Sequence, residues 1–184
     1  MSQNHPKAGP NFTPAYQVSG IPFVTSSAQQ EVSGPDLNTQ SDEPILVEFP
    51  FVTKYVTIRN TGRNELRVGF SKRGIFAPGE RLPASLGGAA KGAVSSRDNR
   101  NYFIIPSASA ANQASIGNNA AATTMTFDVR CTRLFFMSDA ASNTPTPALS
   151  GSFSLFAGLT MIPAGQFPTL TGSVAGVQSF EGIG

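Results

Sequence analysis

FPFVTKYVTIRNTGRNELRVGF, residues 49–70, is the stretch from which the fold can be read. It holds two alternating runs, 52–59 and 65–70, separated by Asn60-Thr61-Gly62-Arg63-Asn64. In the first run Val52, Val56 and Ile58 share one face, and Thr53, Tyr55, Thr57 and Arg59 share the other. Lys54 is the one misfit on the apolar face. In the second run Leu66, Val68 and Phe70 alternate with Glu65, Arg67 and Gly69. A period of two is the mark of strands with one buried and one solvated face. If the two runs pair directly, Ile58 and Leu66 must lie on one face, which requires an odd-numbered loop. Thr61-Gly62-Arg63 supplies one, with Gly62 for the unusual backbone angle. The same connection serves equally to cross from one sheet of a sandwich to the other.

Outward from this pair the chain reads as further short strands. Residues 16–26, YQVSGIPFVTS, are β-prone, but Gly20 and Pro22 restrict them to an edge or a bulged strand. Residues 45–49 form a short apolar strand, broken from the central pair by Pro50. Residues 101–105 form another, stopped by Pro106. In 124–131, Met125, Phe127, Val129 and Cys131 alternate inward against Thr126, Asp128 and Arg130. The phase then slips, because Leu134 and Phe136 oppose Cys131, so a bulge or tight turn is expected near Thr132. Phe153, Leu155, Ala157, Leu159 and Met161 make the longest alternating strand, and Phe167, Leu170 and Val174 are able to add a last edge strand. Between the strands lie loops of Gly, Ala, Ser, Asn and Pro at 27–44, 71–100, 107–122 and 138–150. No segment carries sustained helical periodicity. These signs predict an all-β, antiparallel β-sandwich. The predicted core is Val56, Ile58, Leu66, Val68, Phe70, Ile104, Phe127, Val129, Phe153, Leu155 and Leu159.

The 184 residues are enough for one domain with a real core. The expected organisation is an extended arm over 1–44 with an edge strand near 16–26, a sandwich over 45–162, and a second arm over 163–184. Charged residues are 13% of the chain, about half of the roughly 25% usual in globular domains. Low charge favours a chain that covers part of its surface with neighbours. The net charge of +2 hides a segregation. Residues 1–44 have one lysine against four carboxylates, a balance of −3. Residues 45–100 have ten cations against four carboxylates, +6, and residues 101–184 balance at −1. The basic middle is dispersed, which fits solvated strand faces and loops better than a contact surface for an acidic partner. The N-terminus lacks an apolar signal core, and no apolar run approaches the ~20 residues of a membrane span. Neither common-route secretion nor membrane insertion is expected.

Catalytic chemistry is hard to assemble from these residues. The one histidine, His5, lies in the predicted arm, so no Ser–His, Cys–His or multi-histidine metal site is available. The histidine-rich metal centre of a cupin is thereby excluded. The single Cys131 falls on an apolar strand face, reads as a buried small hydrophobe, and leaves no intrachain disulfide. Asp128, Glu65 and Glu48 alternate outward from separate strands, where carboxylates are ordinarily just solvated. Gly87-Gly88 lacks the lysine–serine ending and the helix of a phosphate loop. Arg59, Arg63, Arg67, Lys72 and Arg73 cluster around the central turn, with Tyr55 and Phe76 as possible stacking faces. Two of these arginines alternate outward as ordinary strand residues do. No catalytic, cofactor-binding or metal-ligating residue is assigned, no cofactor is expected, and the chain is not expected to be an enzyme.

SGIPFVTSS, the FPFVTKYVTIRNTGRNELRVGFS block, NYFIIP, the FDVRCTRLFF run and SFSLFAGLTMIP span most of residues 19–163. In order and spacing they resemble the single jelly-roll penton proteins at the five-fold vertices of large icosahedral double-stranded DNA viruses, especially those infecting algae. The resemblance implies a single jelly roll with extended N- and C-terminal arms. It implies a structural virion protein, a homopentamer at the capsid vertex, assembled inside the host cell. Its implied partners are copies of itself, a major capsid protein of double jelly-roll type and minor capsid proteins, without direct nucleic-acid contact. The alternatives are another minor capsid protein, or a jelly-roll or immunoglobulin-like attachment module that binds a glycan through its loops.

Overall fold

Val56, Ile58, Leu66 and Val68 do meet in one core, but from opposite sides of it. The computed structural model describes residues 21–27, 43–62, 64–76, 83, 85, 101–107, 123–139, 152–167, 173–174 and 177–178. Its strands are β1 (Ile21–Ser26), β2 (Ile45–Glu48), β3 (Phe51–Asn60), β4 (Leu66–Gly69), β5 (Tyr102–Ile105), β6 (Thr124–Phe127), β7 (Arg133–Ser138), β8 (Phe153–Pro163), β9 (Ser173–Val174) and β10 (Val177–Gln178). The first eight make two antiparallel sheets, with strand orders β1-β8-β3-β6 and β2-β7-β4-β5. Helix among the described residues is limited to 3-10 turns, at Ser85 and at Ala164–Gln166. The expected all-β antiparallel architecture is what the chain adopts.

The turn at residues 60–64 is a crossing between sheets, because β3 belongs to the first sheet and β4 to the second. Asn60 holds it. Its side chain is fully buried, and Nδ2 faces the carbonyls of Asn64 at 2.8 Å, Pro106 at 3.0 Å and Ile105 at 3.2 Å. Its Oδ1 accepts from the Gly62 N–H at 2.9 Å. One amide thus ties the end of β3, the corner and the end of β5, and satisfies backbone groups that burial would otherwise strand.

Aromatic contacts show how the sheets stack. Phe23 of β1 meets Phe49 beside β2 at 5.2 Å, and Phe136 of β7 stacks on Phe153 of β8 at 4.0 Å. Phe127 of β6 meets Phe103 of β5 at 5.1 Å. The two strand orders therefore run in the same lateral sense, one sheet over the other. Between them lie Val47, Phe49, Val56, Ile58, Leu66, Val68, Ile105, Cys131, Leu134, Phe136, Phe153, Leu155, Ala157 and Leu159. Seven of the eleven predicted core residues are in this set. Phe70, Phe127 and Val129 are half-buried against it, at the margin of the sandwich.

Ile104 is a correction. It is 40% exposed while Ile105 is fully buried. The register Leu66↔Ile105 and Val68↔Phe103 fixes this phase, since cross-strand partners share a face. A run of four apolar residues, YFII, carries no alternation from which the phase could be read. Two bulges correct other expectations. The pairing of β3 with β8 shifts between Thr53 and Tyr55, so Lys54 is an inserted residue. Thr53 therefore faces inward with Val56, and Val52, also buried, falls outside the inner core. A second shift, between Phe51 and Thr53, takes up extra residues in β8. There the Thr160 hydroxyl donates to the Val52 carbonyl at 2.8 Å. Beyond that point Ile162 is buried and Met161, expected inside, is 56% exposed.

The slip expected near Thr132 is a tight connection between sheets. β6 ends at Phe127 rather than reaching Cys131, and β7 starts at Arg133 in the second sheet. Thr53 secures the link: its hydroxyl accepts from the Cys131 N–H at 2.9 Å and lies 2.7 Å from the Val129 carbonyl, to which it donates. Among the described residues β1 is an edge strand, as Pro22 required, and pairs with β8 only. The strand begins at Ile21; residues 16–20 lie outside the described residues, as do most of the predicted arms and loops. The described residues of the tail add no strand to either sheet, and Leu170 lies outside them. Val174 pairs with Val177 in a separate two-stranded ladder, so the chain there closes on itself.

The outer face of the second sheet is covered by its own chain. Residues 70–76 fold back over it, and Ile75 and Phe76 pack on Phe135, Met137 and Tyr102. Gly69 permits the approach, because a Cβ there would lie 3.1 Å from the Ile75 Cβ. Gly69→Val is accordingly expected to cost about 1–3 kcal/mol, as overpacking does. Urea denaturation checks it, and Gly69→Ala should fall below the valine variant in cost.

Candidate functional site

Arg67 lies under that cover. Alternation points it outward as expected, but it is 3% exposed rather than solvated. Nε ion-pairs with Asp139, Nη1 donates to the Ile75 carbonyl at 3.2 Å, and the guanidinium stands 4.7 Å above the Tyr102 ring. A buried arginine with a carboxylate, a carbonyl and a ring holds the cover to the sheet and has no face left for phosphate. The Asp139 N–H donates to the Glu65 carbonyl at 2.8 Å. Burial, then the charge of Asp139 and a hydrogen bond with it, raise the Glu65 carboxyl above its ordinary value.

The cationic constellation around the central turn does not come together. Lys72 pairs with Glu43 at 2.6 Å and with the Ser85 hydroxyl at 2.8 Å. For Glu43, burial alone would raise the carboxyl, but hydrogen bonds from Lys72 and Ser85 and the lysine charge lower it. Phe76 is buried against the second sheet, whereas Tyr55 and Arg59 lie on the outer face of the first. Arg63 is outside the described residues, as are His5 and Gly87-Gly88. The sandwich itself separates the supposed stacking rings from each other.

The three outward carboxylates do not pair with one another either. Glu48 faces Arg133 directly across the β2–β7 ladder at 3.0 Å, an exposed ion pair worth at most about 1 kcal/mol. Glu65 has Asp139 as its carboxylate neighbour, and Asp128 is exposed beyond the end of β6. Among the described residues no group of three or more His, Cys, Asp or Glu side chains is placed to hold a metal ion. No helix there is long and apolar enough to cross a membrane.

Cys131 is buried in the inter-sheet core, with its Sγ 3.4 Å from the Thr53 hydroxyl. Burial pushes the thiol up to about 11, against smaller lowering contributions from Thr53 and the Arg133 backbone. A thiol-reactive dye at pH 8 should therefore label the native protein far more slowly than the urea-unfolded chain. Equal rates would show the thiolate to be accessible.

Among the described residues, nothing covers the outer face of the first sheet. The register sets Val24, Phe156, Thr57 and Thr126 in one row, and Pro22, Gly158 and Tyr55 in the next. Val24 is 72% and Phe156 41% exposed, and the Tyr55 and Phe156 rings are 6.1 Å apart. Thr57 and Thr126 share a hydroxyl hydrogen bond at 3.0 Å. A contiguous apolar patch on a sheet face is a contact surface more often than a solvated one. The sequence signal was Phe156, an aromatic in the polar phase of β8 between Ser154 and Gly158. Comparison with family models, with curated proteins and with solved structures gives no match to this chain.

Proposed function

We propose that the chain is a structural capsid subunit built on a single jelly roll, and that it forms a homopentamer at the five-fold vertices of an icosahedral virion. The observation that carries this reading is the strand order, β1-β8-β3-β6 over β2-β7-β4-β5. Seven successive connections join eight strands, and only β4 to β5 stays within one sheet. That interleaving is what two Greek keys wrapped as a jelly roll produce, an architecture common in viral capsids and lectins. Low charge, an uncharged apolar patch on one sheet face, and the ordered segments that resemble vertex proteins support the capsid over the lectin.

The role is structural rather than catalytic, with major and minor capsid proteins as the surrounding partners and the vertex as its location. Imaging of the assembled particle tests it. Five copies around each five-fold axis are the expected result. Density at three-fold or general positions, or a soluble monomer or trimer that binds glycan, would replace the vertex reading with the minor-capsid or attachment alternative.

A further inference from the structure

We propose that the ring contact is made by sheet continuation: the edge of β1 left unpaired among the described residues of one copy pairs antiparallel with the edge of β6 left unpaired among those of the next. This rests on the ring-subunit reading above and adds to it the contacting strands and their register. The first sheet is antiparallel throughout and has four strands, β1-β8-β3-β6. With an even number of strands its two edges run in opposite directions. A neighbouring copy set alongside in the same orientation therefore continues the alternation without being turned over. Such a contact joins unlike surfaces, the kind that forms a ring when its rotation is a whole fraction of a turn, as the five-fold reading requires.

The backbone groups available at each edge follow from the bonds already made. Ser27 N–H donates to the Phe153 carbonyl, which fixes Ile21, Phe23 and Thr25 as the residues bonded to β8. The open edge of β1 then presents the carbonyl of Pro22 and both groups of Val24 and Ser26. Asn60 N–H donates to the Thr123 carbonyl, which fixes Met125 and Phe127 as bonded to β3. The open edge of β6 presents both groups of Thr124 and Thr126. Neither strand carries a charged residue, and β6 has no proline and no bulge, the usual guards of an exposed edge.

One register satisfies all of these groups. Val24 opposite Thr126 and Ser26 opposite Thr124 exchange backbone bonds in full. Pro22, which has no N–H, then falls opposite Asp128, past the end of β6. Shifting by two residues would set Pro22 against Thr126 and leave a carbonyl without its donor. In the favoured register Val24 and Ser26 share the outer face with Thr124 and Thr126, while Phe23 and Thr25 continue the inner face of Met125 and Phe127. The occupant is a second copy because β1 supplies the direction, the lack of charge and the proline position that β6 requires.

The test uses full-length chains carrying Val24→Cys or Thr126→Cys, both outward and exposed, while native Cys131 stays buried. A short bis-maleimide is added to each variant alone and to their mixture, and linked peptides are identified by mass spectrometry. The expected result is a link between positions 24 and 126 in the mixture, with neither variant cross-linking alone. A 24–24 or 126–126 link would mean like edges meet, and overturns the proposal. Thr126→Pro should abolish the ring, whereas Thr126→Val, which loses the same hydroxyl contact to Thr57 but keeps the N–H that points away from β3, should retain it. Rings that persist in Thr126→Pro without a 24–126 link defeat the edge contact and leave the vertex reading standing. A 24–126 link in a protein imaged away from the five-fold axes does the reverse.

Discussion

Asn60→Asp should unfold the protein more readily at pH 7 than Asn60→Ala, although it changes one atom of the side chain. The Nδ2 of Asn60 faces three carbonyl oxygens at 2.8, 3.0 and 3.2 Å in a fully buried corner. A carboxylate there would meet them with charge and no proton. Leaving a buried charge uncompensated costs about 3–5 kcal/mol, whereas alanine only abandons hydrogen bonds, at about 1–3 kcal/mol for the groups stranded. The sign with pH follows. The buried carboxyl would titrate well above its unfolded value of about 3.9. Its excess cost is absent below that value and grows by about 1.4 kcal/mol per pH unit above it, until the folded-state pKa is reached. Urea midpoints at pH 4 and pH 7 measure this. An Asn60→Asp variant no less stable at pH 7 than at pH 4 would show that the corner opens to water.

Phe136→Ala is the second large effect. The ring is fully buried and stacks on Phe153 with planes 14° apart and centroids 4.0 Å apart, joining β7 to β8 through the middle of the sandwich. Deleting it leaves a cavity that rigid sheets cannot fill, at about 3–5 kcal/mol. Phe127→Ala should cost less, below about 2 kcal/mol, because that ring is half-buried at the open margin and loses less area from water. Denaturant titration of both variants ranks them. Equal costs would place the Phe127 margin as deep as the centre.

The strands were legible wherever polar and apolar residues alternate strictly. Val56 and Ile58, Leu66 and Val68, and Phe153 to Leu159 were assigned to the correct face for that reason. Legibility failed where alternation is absent or interrupted. YFII offers no polar residue to set the phase of Ile104 against Ile105. Lys54 was visible as a misfit, but its cause, an inserted residue, depends on what β8 presents opposite. The same bulged stretch turns Met161 outward against its alternation. Arg67 reads as an ordinary surface residue until residues 70–76 lie over it, and no local pattern announces a loop folding back on its own sheet. The open face was half legible: Phe156 stands out of phase, but only the pairing with Val24 and Tyr55 makes it a patch.

The near absence of in-sheet neighbours along the chain has a consequence for how the protein is made. Among the described residues β1 pairs only with β8, and the bond from Phe153 N–H to the Ser27 hydroxyl spans 126 residues of sequence. A ribosome adding roughly 5–20 residues per second takes on the order of ten seconds to deliver the partner of the first strand. During that interval β1 and β2 have no ladder to join, since β7 and β8 are both late. Closure must wait for nearly the whole chain, and the loops that it has to pin are long, which places folding toward the slow end for small domains. Truncation anywhere before β8 should then yield not a smaller folded piece but a chain with exposed strand edges, prone to aggregate or to be held by chaperones.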